Sequence, residues 1–122
     1  MLVLPISNIL FGAKSVLKRE FDKGNIPLKK DITGHELKRG EASIDHTIPK
    51  SKGGVSRLEN YSLMNVAVNN HRSNKPIEPY IDLVSLLEYI KVMMDVRLPD
   101  LNGTEYVKGW IRTLIRALKE GK

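Results

Sequence analysis

The 122-residue sequence contains no cysteine, which excludes both a disulfide framework and a thiolate zinc site. Aromatic residues are scarce at 6%, with a single tryptophan, which reads as core rather than as a base-stacking platform. No apolar run approaches the roughly 18 residues of a membrane span. The opening MLVLPISNILFGAKS lacks a positively charged stretch before its apolar residues and carries Pro5 early. A secretory leader is therefore not expected, and the expected location is the cytoplasm. What remains is an ordinary globular composition, 41% hydrophobic and 28% charged, at a length that fits one domain.

Charge is the first positive signal. The formal net charge is +6, which favours a polyanionic partner and says nothing of fold. The excess is concentrated in the first forty residues, where Lys29, Lys30, Lys38 and Arg39 cluster in a turn-rich segment.

Periodicity outlines a mostly helical chain. Ile6, Ile9, Leu10, Ala13, Val16, Leu17 and Phe21 predict an amphipathic helix over 6–23, and residues 24–41 read as irregular. Ala42–Asp45 reads as a short strand, followed by a loop over 46–59 that turns at Gly53-Gly54. A second helix is expected from Asn60 to about Asn74, with Asn60 as its cap, ended by Pro76 and Pro79. Such a helix presents Asn65, Asn69 and Arg72 on one face. Tyr80–Val96, apolar nearly all round, predicts a buried central helix, and Thr104 caps a last helix running to Glu120. On that helix Trp110 falls on the apolar side, as core. Lys108, Arg112, Arg116 and Lys119 form a stripe that is either a solvated face or a phosphate contact. His35 reads as a solvated turn residue.

The chemistry concentrates in one insert. Asp45 and His46 are adjacent at the end of the short strand, where neighbours point to opposite faces. Asp and Asn oxygens are hard donors of the kind Mg²⁺ prefers.

The stretch ASIDHTIPKSKGGVSRLENYSLMNVAVNNHRSNKP, residues 42–76, resembles the HNH endonuclease motif. Asp45-His46, Pro49, Ser51, Gly53-Gly54, Asn60 and Asn69 fall at that family's spacing. The resemblance implies an α+β fold with a ββα-metal core over 42–76, a helix and basic segment over 1–41 before it, and a helical part over 77–122 after it. It implies DNA phosphodiester hydrolysis in which His46 is the general base that activates water and Asn60 orients His46 and holds the loop. Asp45 and Asn69 are implied to hold one divalent cation, Mg²⁺ with Mn²⁺ as an alternative; Asn70 and His71 adjoin the second of these places. Arg72 falls where similar proteins carry a cation near the phosphate. Lys29, Lys30, Lys38, Arg39, Lys50 and Lys52 are the expected DNA contacts, with no membrane partner and the oligomeric state left open, a monomer included. Many members clamp the fold with a structural zinc; the matching places here hold Lys30, Thr33, Asn65 and Val68, so apolar burial of the flanking helices is expected to clamp instead. Small free-standing members are frequent in phages. The alternatives are RNA as substrate, or a non-catalytic DNA-binding module that keeps a degenerate site.

Overall fold

The computed structural model describes residues 14–121. It is an α+β protein with four α-helices and two small antiparallel sheets among these residues. Helix α1 (Lys14–Asp22) buries Val16, Leu17 and Phe21; the part of the expected first helix before residue 14 lies outside the described residues. Strand β1 (Ala42–His46) pairs antiparallel with β2 (Tyr61–Asn65), Ala42 opposite Asn65 and His46 opposite Tyr61. Helix α2 (Val66–Arg72) follows β2 without a loop and packs back across the hairpin.

The expected helix over 60–74 is therefore half strand. Tyr61, Ser62, Leu63 and Met64 are all buried, because both faces of this strand are covered. Strands buried on both faces lose the polar alternation that announces them. Asn60 consequently caps no helix. It closes a 3₁₀ turn (Leu58–Asn60), and Asn65 is the N-cap of α2, its side chain accepting from the amides of Ala67 and Val68. The helix stops at Arg72, ahead of both prolines, with Ser73 at a positive φ of 50°.

Helix α3 (Leu83–Met94) is shorter than the pattern suggested and is not buried all round. Tyr89 and Met93 face the core, whereas Leu83, Val84 and Leu87 are 66%, 77% and 59% exposed. A two-residue hairpin, β3 (Arg97–Leu98) with β4 (Leu101–Asn102), leads into α4 (Gly103–Glu120). Asn102, not Thr104, caps α4 by accepting from the Glu105 amide; the Thr104 hydroxyl instead accepts from Arg97 and donates to the Met94 carbonyl. No helix among the described residues is long and apolar enough to cross a membrane.

Trp110, Tyr89 and Tyr106 form the seam between α3, α4 and the hairpin, and each finds a partner for its polar end. The two tyrosine hydroxyls bond each other at 2.7 Å, Tyr106 donates to the Tyr61 carbonyl at 2.6 Å, and Tyr89 accepts from the Leu63 amide at 3.2 Å. Trp110 Nε1 donates to Thr47 Oγ1 at 2.9 Å, so the tryptophan is core. The aromatic seam thus holds β2 and the residue that follows β1.

A polar clamp fixes the other end of the hairpin. Asp31, fully buried, accepts from Thr33 N and Oγ1, from His35 N, and through its second oxygen from Asn65 N. Asn65 Nδ2 donates in turn to the Glu36 carbonyl, and the backbones of Lys30 and Glu36 pair antiparallel. The turn over 30–36 is thereby tied to the start of α2 by the Asp31 carboxylate and the Glu36 carbonyl. The sequence reading assigned this clamping to apolar burial; α1 does pack on the hairpin, but the joint between residues 30–36 and Asn65 is hydrogen bonded. His35 is exposed in this turn, as expected.

Candidate functional site

Because side chains alternate along a strand, β1 sends Ser43 and Asp45 to one face and Ile44 and His46 to the other. The first face meets α2. Asn69 Nδ2 donates to Ser43 Oγ at 2.6 Å and to the Ile44 carbonyl at 3.3 Å, and one turn later Arg72 reaches the strand end. Three residues that the resemblance selects in the insert lie on this side, Asp45, Asn69 and Arg72, while the His46 side chain leaves on the other.

Arg72 is 0% exposed and Asp45 is 1% exposed. Arg72 Nη1 donates to Asp45 Oδ1 at 2.6 Å, to Oδ2 at 2.7 Å and to the His46 carbonyl at 2.9 Å. Nη2 donates to the Thr47 carbonyl at 2.7 Å and Nε to the Lys75 carbonyl at 3.0 Å. One guanidinium therefore binds three successive residues of the strand end to the last turn of α2. A side chain so enclosed touches no solvent-borne phosphate. Burial pushes the Asp45 carboxyl above its ordinary pKa, and the neighbouring Arg72 charge pulls against that rise.

His46 sits on the opposite face, half-buried, its ring edge-on to Tyr61 with centroids 4.9 Å apart at 86°. Its backbone is held by the Arg72 bond to its carbonyl.

Asn60 is fully buried and works on the loop. Its Oδ1 accepts from Ile48 N at 2.9 Å, while Nδ2 donates to the carbonyls of Ile48 at 2.9 Å and Val55 at 3.0 Å. Its own carbonyl accepts from Thr47 N. Both amide hydrogens are thus spent on the backbone, and Asn60 sets the residues after His46. Gly54 completes this loop because a Cβ there would lie 1.7 Å from the Ile48 carbonyl oxygen. Only glycine admits that approach.

The fit of a divalent cation can be judged on the donors. Asp45 and the Oδ1 of Asn69 are hard oxygens on the same seam, and Ser62, directly across the hairpin from Asp45, carries a buried hydroxyl with no partner among the described residues. No three His, Asp or Glu residues converge among the described residues, so most of the coordination would fall to water and substrate. A cation at Asp45 would require that carboxylate to give up at least one of its bonds to Arg72 and to open to solvent.

Lys50 is exposed and Lys52 half-exposed on the 3₁₀ turn that follows His46. Lys29, Lys30, Lys38 and Arg39 are exposed too, but at the far end of the hairpin, beside Asn65 and the entry to β1. The sequence reading passed over Ser43, Ser62 and Asp31. Only the register of β1 against β2, which depends on reading β2 as a strand, would have placed Ser62 opposite Asp45.

Compared with known proteins, the chain matches no family model, no curated protein and no solved structure.

Proposed function

We propose that this chain is an endonuclease of the HNH kind that hydrolyses DNA phosphodiester bonds with His46 as general base and a divalent cation at Asp45 and Asn69. The supporting observation is the strand end itself. Asp45 and His46 leave it on opposite faces, the helix after β2 brings Asn69 and Arg72 to the Asp45 side, and Asn60 pins the loop that begins one residue beyond.

His46 takes a proton from water at an imidazole nitrogen, a role open to a side chain whose reference pKa is about 6.5. Its ring is steadied by the edge of Tyr61, and its main chain by Arg72 through the His46 and Thr47 carbonyls. Arg72 is thus a positioning residue for the base. Asp45 and Asn69 would hold the cation, whose chemistry is to neutralise charge building on the phosphate and the leaving oxygen. Lys50 and Lys52 stand on the turn that a bound strand meets first after His46.

A second reading has one observation in its favour: the sealed Asp45–Arg72 pair suits a DNA-binding module whose site has become structural. Nicking of supercoiled plasmid by wild type and His46→Ala, with Mg²⁺ and with EDTA, separates the two. The nuclease reading expects cleavage only by wild type with metal; the second expects binding and no cleavage in any arm.

A further inference from the structure

The two ends of the β1–β2 hairpin lie about 13 Å apart, at roughly 3.3 Å per residue. The basic cluster of residues 29–39 occupies the Ala42–Asn65 end, tied there by the Asp31 and Glu36 bonds to Asn65. His46 is at the opposite end, paired with Tyr61. At that end an open groove of about 490 Å³ runs between the 3₁₀ turn Leu58–Asn60 and α4, with Arg57, Lys108 and Arg112 along its walls.

The groove is held in place by the same contacts that hold the site. Tyr106 and Trp110 of α4 bond the Tyr61 carbonyl and the Thr47 hydroxyl, on either side of His46 across the hairpin. Its floor includes Gly109 in the middle of α4, where a glycine costs about 1 kcal/mol relative to alanine. A Cβ there would stand 3.1 Å from Cβ of Glu59, so glycine lets the helix lie close against the turn.

Charge in the groove is open to a ligand. Arg57 and Lys108 face Glu59 and Glu105 at 3.9 and 3.7 Å, in pairs whose side chains are all 47% exposed or more. Exposed pairs of this length hold their partners weakly and yield to a stronger acceptor. Arg112 adds a third positive charge on the same wall. A phosphodiester, with one negative charge at each step and no need of base readout, is such an acceptor.

We propose that the groove between Leu58–Asn60 and α4, through Arg57, Lys108 and Arg112, carries the nucleic-acid backbone flanking the bond that His46 attacks. The proposal rests on the nuclease reading above and moves the principal backbone contacts away from residues 29–39. Lys50 and Lys52 stand on the 3₁₀ turn shortly after His46, whereas the 29–39 cluster lies one hairpin length away.

The test is anisotropy of a labelled duplex of about two helical turns against full-length protein in EDTA, across a salt series, with thermal melts to confirm folding. Three proteins are compared: wild type, Arg57→Ala/Lys108→Ala/Arg112→Ala, and Lys29→Ala/Lys30→Ala/Lys38→Ala/Arg39→Ala. The groove variant is expected to bind about tenfold or more weakly, and its slope of log affinity against log salt to flatten by about 0.9 for each phosphate it no longer neutralises. The 29–39 variant is expected to change less in both respects. If only the 29–39 variant weakens, the groove proposal fails while the nuclease reading stands. If wild type itself shows no salt-dependent binding, both fail.

Discussion

Arg72 Nη1 donates to both oxygens of the Asp45 carboxylate, at 2.6 and 2.7 Å, and neither side chain meets solvent. The pair sits where the strand that presents His46 ends, and two further bonds go to the carbonyls of His46 and Thr47. Charge, strand geometry and the candidate base are coupled through one guanidinium.

Arg72→Ala leaves a buried carboxylate without its counter-charge. Removing one partner of a buried pair costs roughly 3–5 kcal/mol, read as a lower denaturant midpoint near neutral pH. The sign of the pH dependence follows from the raised carboxyl. With Arg72 gone, burial alone acts and raises it further. The lost stability is then largest at neutral pH and shrinks as pH falls toward the unfolded carboxylate's value near 3.9. A deficit that stays constant from neutral pH down to that value would contradict this account of the pair.

On the proposed reading, Arg72 and a cation would compete for the same carboxylate. Adding Mn²⁺ or Mg²⁺ should therefore raise the melting temperature of Arg72→Ala more than that of wild type, since binding to the folded form alone stabilises it. Equal shifts in the two proteins would place any cation away from Asp45.

Asp31 ties the turn over 30–36 to Asn65 by hydrogen bonds alone. Bonds to a charged acceptor contribute roughly 1.5–3 kcal/mol each. Asp31→Ala removes its bonds from Thr33 N and Oγ1, His35 N and Asn65 N at a fully buried position. A stability decrease of at least about 3 kcal/mol is expected in denaturant unfolding. EDTA should leave the circular dichroism of the wild type unchanged, because this joint needs no metal.

Burial pushes the Tyr89 hydroxyl up to about 12 and that of Tyr106 well above its ordinary value. A raised folded pKa contributes stability that is fully present below the unfolded value near 10 and lost as pH rises through the folded one. Stability is thus expected to fall from pH near 10 to about 12, with tyrosinate absorbance from these two residues appearing only as the chain unfolds. Early ionisation of every tyrosine in the folded protein would contradict the buried hydroxyl pair.

Several features were legible in the sequence because local chemistry specifies them. The strand Ala42–His46 begins where expected, the Gly53-Gly54 turn lies where a Cβ would collide with the backbone, and Trp110 is core. Misreadings arose where tertiary packing decides. Leu63 and Met64 are adjacent and both buried, a pattern that helix and doubly covered strand share, so β2 was read into the helix that follows it. Leu83, Val84 and Leu87 look like core residues, but periodicity cannot say whether a neighbour covers a face, and in the described residues none does. Arg72, placed near a phosphate by the resemblance alone, is instead drawn inside by the buried carboxylate of Asp45 that it contacts.

The central claim is that His46, and not Asp45, is the proton acceptor. It is tested most directly by single-turnover cleavage of a supercoiled plasmid by wild type and His46→Ala, alongside duplex binding by both. The account predicts a decrease of about 10²-fold or more in rate, the range of general-base catalysis, with duplex affinity unchanged. A His46→Ala protein that cuts at the wild-type rate would contradict it.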